Sequence, residues 1–137
     1  MEVGDERETR PEHIEAAIGP NTAGIHCLAQ GDTPRPGTLP LEELLRIGRD
    51  HNIPLIMDAA GSVYPTELLS KFVKMGVDLV AYGDTHEEMV AFYQGVLFVN
   101  PGSPTRPGTR HERGRLGTLA ILDVCDRMAT VEIVNLG

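Results

Sequence analysis

The sequence predicts an α/β fold, a layered α/β sandwich whose parallel βαβαβ core is extended by antiparallel carboxyl-terminal strands. Three observations predict it. Short, nearly continuous apolar runs at Ala23–Ala29, Ile53–Ala60 and Asp78–Tyr82 have the pattern of strands covered on both faces. Two stretches with apolar residues at helical spacing lie between them, and parallel strands joined by helices make right-handed crossovers. Past His86 the rhythm changes to short apolar runs parted by turn residues, which is a hairpin signal.

The elements follow in order. The charged first ten residues are expected to fray. Pro11 opens a short helix that Thr9 is expected to cap and Gly19 to stop, with Ile14, Ala17 and Ile18 on one face. The loop after Ala29 is too rich in proline and glycine for regular structure. Pro40 then opens a helix with Leu41, Leu44, Leu45 and the stem of Arg49 on its apolar side. The Ile53–Ala60 strand carries Asp58 at its carboxyl end. Tyr64-Pro65-Thr66-Glu67 starts the next helix, with Leu68, Leu69, Phe72 and Val73 as its stripe and Gly76 as its stop. Met89–Phe92 and Val96–Val99 form a hairpin, a long Pro/Gly/Arg loop runs from Asn100 to Arg115, and Leu116–Val124 with Ala129–Val134 forms a last hairpin.

At 137 residues the chain fits a single domain over 1–137, enough for one core burying roughly two-thirds of its unfolded surface. Its two cysteines, Cys27 and Cys125, stand far apart inside apolar runs, where reduced, buried thiols are expected. No apolar run approaches the roughly 18 residues of a membrane span, so neither leader nor anchor is expected and the reading is of a cytoplasmic, soluble protein without a membrane partner. A net charge of −8 argues against nucleic acid as a partner. The exception is a local basic patch, Arg106, Arg110, Arg113 and Arg115 with His111, whose guanidinium groups suit phosphate but whose bland role is to solvate a loop. His26 is expected in the core, Tyr64, Tyr82 and Tyr93 in packing roles, and exposed edge strands are expected to support a homodimer.

Two resemblances meet in the middle of the chain. IEAAIGPNTAGIHCLAQ, LPLEELLRIGRDHNIPLIMDAAG and KMGVDLVAYG make residues 2–82 resemble the large domain of fold-type-I pyridoxal-phosphate enzymes, in the selenocysteine synthase and aminosugar ammonia-lyase branch. That resemblance gives Asp58 the place of the carboxylate that pairs with the cofactor's pyridine nitrogen. It also calls for a Schiff-base lysine after DLVAY, where this chain reads GDTHEE; Lys71 and Lys74 precede that strand. Asp58 is therefore a vestigial cofactor residue at most, and otherwise a strand-end or helix-capping carboxylate, and pyridoxal phosphate is not expected to bind.

VDLVAYGDTHEE, GVLFVNPGSPTRP and GTLAILDVCDRMATVEIVNL make residues 77–137 resemble the carboxyl-terminal part of calcineurin-like metallophosphodiesterases. Those enzymes normally read Gly-His-Thr-His at the first phrase, both histidines binding a dinuclear centre. Here Asp84 replaces the first and His86 matches the second, which implies oxygen and imidazole donors for Mn, Mg or Zn. Together the resemblances suggest a chimera joined at DLVAY, engineered, selected or a relic of fusion, with no catalytic activity and no cofactor expected. The alternative is a reduced divalent-metal-dependent phosphoesterase, or a simple metal binder, through Asp84 and His86 with Asp58 or Asp32 recruited across strand ends.

Overall fold

The structure, a computed structural model, describes residues 1–4, 7–29, 36–60, 67–126 and 128–137. Gly31-Asp32, Tyr64 with the residues expected to start the third helix, and Arg127 lie outside them, as do the side chains of Leu68 and Leu69.

Pro11 takes the first position of α1 (Pro11–Ala17), where its fixed φ and missing N–H cost nothing. Arg10, not Thr9, stands before it, its N–H donating to Nδ1 of His13 at 3.3 Å. Thr9 instead donates its N–H to Gly37 O at 2.7 Å and its hydroxyl to Val3 O at 3.4 Å, fastening the amino-terminal segment to another loop. The helix ends at Ile18 in extended backbone, one residue before Gly19. Ile14 is buried and Ile18 packs against the core.

α2 (Leu41–Asp50) buries Leu44, Leu45, Ile47 and Gly48. Arg49 is exposed, contrary to expectation. The chain reverses through Asn52 at φ 56°, so that Ile53 N–H reaches Gly48 O at 2.9 Å, and this fold-back covers the Ile47–Gly48 side and leaves Arg49 outward. Arg46 holds the solvent side, at 2.7 Å from both Glu43 and Asp50, three and four residues away on the same face. α3 (Glu67–Met75) buries Phe72 and packs Val73 and Met75 against the core, and Gly76 at φ 78° ends it.

Five strands form the main sheet in the order β1-β2-β3-β5-β4, from β1 (Ile25–Leu28), β2 (Leu55–Ala60), β3 (Leu79–Tyr82), β4 (Met89–Tyr93) and β5 (Val96–Asn100). The first three pair in parallel through the two helical crossovers, β5 joins β3 in parallel, and β4 folds back antiparallel on β5. This is the mixed α/β architecture the sequence predicts, a mostly parallel sheet with antiparallel strands added. Asp78 pins its amino-terminal side: its carboxylate accepts from Leu55 N–H at 2.9 Å and its carbonyl from Leu97 N–H at 3.0 Å, tying β3 to both neighbours. Ile47, Leu55, Val80 and Phe98 are fully buried at the centre.

Three further expectations need correcting. β1 is an edge strand, not one covered on both faces, so His26 is exposed rather than in the core, and Leu28 is exposed with it. The last hairpin, β6 (Thr118–Cys125) with β7 (Met128–Asn135), makes a separate two-stranded sheet and does not extend the first. Cys125 is exposed beside its turn, whereas Cys27 is half-buried and burial pushes its thiol up to about 11, which keeps it protonated and inert. Among the described residues no helix is long and apolar enough to cross a membrane.

Candidate functional site

Parallel strands end together on one side of a sheet, and the loops there are where α/β folds place ligands. In this chain that side carries the loop Gly83–Glu88, between β3 and β4. Asp84 and His86 sit in it at φ 71° and φ 60°, the left-handed region that side chains other than glycine adopt at a cost of about 1 kcal/mol each. Thr85 stands between them and is held from below. Asn100, with no exposed surface, donates Nδ2–H to Thr85 Oγ1 at 2.9 Å and accepts the Gly102 N–H on Oδ1 at 3.0 Å. Thr85 Oγ1 accepts in turn from Glu87 N–H at 3.3 Å. A buried amide at the end of β5 thus sets the shape of the tip at the end of β3.

The other support is the loop 101–117. Gly108 N–H donates to His86 O at 3.0 Å. Glu87 Oε1 accepts both the N–H of Thr109, at 2.6 Å, and its hydroxyl, at 2.9 Å. Glu87 Oε2 is buried and forms an ion pair with Arg110 Nε at 2.7 Å. Glu88 Oε2 meets His111 Nε2 at 2.9 Å. These contacts depress both carboxyl groups below their ordinary values, Glu87 chiefly through the Thr109 hydroxyl and Glu88 chiefly through His111. Between the two loops runs an open cleft of about 560 Å³, with His86, His111 and Arg113 among its lining residues. Of the basic patch, Arg110 and His111 pair across to Glu87 and Glu88 and brace the two loops, whereas Arg115 pairs only with Glu112 of its own loop.

Asp58 is half-buried in β2, opposite Leu28 and Ala81, two residues before the strand ends and beside a break in register with β3. It is an interior strand residue rather than a terminal one. Lys71 and Lys74 lie on α3. Tyr82 packs and donates its hydroxyl to Met89 Sδ at 3.3 Å, while Tyr93 is exposed. Among the described residues, no group of three or more His, Cys, Asp or Glu side chains comes together to hold a metal ion, so Asp84 and His86 are not joined by a third donor there. The sequence reading missed Glu87, Glu88, Asn100 and Thr109. Two consecutive carboxylates directly after a polar strand-end tip were the available signal.

Residues 28–127 match the model of the calcineurin-like phosphoesterase superfamily domain. The chain belongs to that family. The matched span includes β3 and most of the stretch that the sequence reading gave to a pyridoxal-phosphate enzyme, and it supports neither that assignment nor a chimera. A 5′-C-glycyluridine monooxygenase-decarboxylase from Streptomyces is 36% identical over 83 residues, 60% of this chain; the chain covers 20% of that protein's length. Among solved structures, a single mutant of Vps29 from Entamoeba histolytica is 17% identical, with 85% of each chain covered and a TM-score of 0.40. Vps29 from Cryptosporidium parvum is 23% identical over 51% of this chain and 42% of its own, at a TM-score of 0.31. A Thermotoga maritima protein is 15% identical over 81% of this chain and 80% of its own, at 0.38.

Calcineurin-like phosphoesterases generally use divalent metals, as the Mn, Mg or Zn expectation has it. The donors of this phosphoesterase domain do not fit a dinuclear centre among its described residues, since two metals need many more than the Asp84–His86 pair. One hydrated ion held by a carboxylate and an imidazole is within their chemistry.

Proposed function

We propose that this chain is a reduced calcineurin-like phosphoesterase, a domain that holds one divalent cation weakly at Asp84 and His86 and has lost two-metal hydrolysis. The observation that carries the reading is the tip itself. Two candidate ligands in strained left-handed backbone are kept at a strand-end loop that Asn100, Glu87 and Glu88 brace from two sides. The experiment is calorimetric titration with manganese and zinc, alongside hydrolysis of bis-p-nitrophenyl phosphate. One weak site is expected, reduced about tenfold or more by Asp84→Ala or His86→Ala, with hydrolysis at background. Manganese-dependent turnover abolished by His86→Ala would instead make the domain an enzyme. Absence of any binding removes the metal reading.

A second reading, composite origin, is prompted by the partial similarity to a relative whose name describes oxidative and decarboxylating chemistry. It leaves Asp58 as a vestige of another site. Addition of pyridoxal phosphate is then expected to give no aldimine absorption. A band lost on replacing Lys71 and Lys74 would show that this half still holds its cofactor.

A further inference from the structure

We propose that β4 is the interface of a symmetric dimer, pairing antiparallel with β4 of a second copy to make one continuous sheet. β4 is the outer strand of the main sheet, and Met89, Val90, Phe92 and Tyr93 are exposed, Phe92 by 74%. It holds no charge, proline or glycine, the devices that normally protect an edge.

The ladder shows which backbone groups are free. Leu97 N–H donates toward β3, to Asp78 O, so Leu97 does not exchange hydrogen bonds with Phe92, its partner on β4. Bonded and non-bonded pairs alternate along an antiparallel ladder, so Tyr93, Ala91 and Met89 bond to β5 while the N–H and C=O of Val90 and Phe92 face outward. No other described segment takes up those groups.

A second copy takes them up in one register. With Ala91 opposite Ala91 across the two-fold axis, Val90 exchanges two hydrogen bonds with Phe92 of the second copy, and the symmetry repeats the pair. Val90 and Phe92 then pack together on one face, a β-branched residue against an aromatic ring. Met89 and Tyr93 meet on the other, a thioether against a ring. Glu88 falls opposite Gln94, so no like charges oppose each other. Sliding one way sets Glu88, already engaged by His111, opposite Phe92; sliding the other sets Val90 opposite Gln94, which at φ 48° has left the strand. A second copy thus takes up all four outward N–H and C=O groups of Val90 and Phe92 in one two-fold-symmetric register. Five residues a side make a small contact beside the ~1,200 Å² of stable interfaces, and −8 on each copy opposes association, so the dimer is weak and strengthens with salt.

Sedimentation of the whole chain over a concentration series at low and high salt tests this. The mass is expected to rise toward twice the monomer's, further at high salt, and Phe92→Lys is expected to stay monomeric. Register is read by oxidation in a Cys125→Ser background. Residues facing each other in a non-bonded pair lie ~4.5 Å apart at Cα, within disulfide range, whereas Val90 of the two copies are diagonal and beyond the ~7 Å limit. Ala91→Cys is therefore expected to cross-link severalfold more than Val90→Cys. A monomer at every concentration and salt, or Val90→Cys cross-linking as well as Ala91→Cys, overturns the proposal.

Discussion

Asn100 does more for the candidate site than either prospective ligand. It has no exposed surface and spends its amide on Thr85 Oγ1 and Gly102 N–H, joining the tip after β3 to the loop after β5. Gly102 follows at φ 75°, and a Cβ there would run into the Thr118 hydroxyl, which is buried without a hydrogen-bond partner. Asn100→Ala leaves the half-buried Gly102 N–H and Thr85 hydroxyl without this partner and empties a fully buried position. A loss of about 3 kcal/mol is expected in urea unfolding, with any metal affinity falling as the tip loosens. In the sequence Asn100 was visible only as a letter at the end of an apolar run. Its role depends on β5 lying beside β3, which no local pattern reveals.

At the level of elements, the loops 83–88 and 101–117 act as a clasp with carboxylates on one side. Glu87 and Glu88 are held below their ordinary values in the folded chain, so the clasp is fully formed above the unfolded carboxylate value of about 4.3 and is lost as pH falls through the lower folded values. The Thr109 amide, which donates to Glu87 at 2.6 Å, is the reporter. Its NMR shift is expected to hold steady from neutral pH down to the unfolded carboxylate value of about 4.3 and to move only as pH falls further. Glu87→Gln is expected to abolish that movement while leaving the main sheet intact. The hairpin β6–β7 is fastened next to this clasp, through Gly117 N–H to Pro104 O at 3.0 Å and Leu136 N–H to Gly117 O at 2.9 Å. A two-stranded sheet is marginal by itself, so these ties matter to its position.

Across the described residues, the strand order β1-β2-β3-β5-β4 leaves each outer strand with one unpaired side, and their chemistry differs. β1 offers four residues including His26, while β4 offers five uncharged ones, and for that reason the dimer is assigned to β4. The amino-acid sequence by itself determined the elements from Pro11 to Asn100 that the structure describes, because helical and alternating apolar spacing and the turn at Gln94-Gly95 are local properties of the chain. It also directed the metal-binding proposal to the DTH tip, because Asp84 and His86 resemble a ligand pair whatever surrounds them. Only the tertiary structure decided the rest. It put β5 between β3 and β4, moved β6–β7 into a sheet of their own and turned β1 into an edge with His26 outside. It also surrounded Asp84 and His86 with bracing groups instead of a third described ligand. Those outcomes are set by pairing between segments far apart in the chain, and such pairing leaves no trace in the spacing of residues within either one.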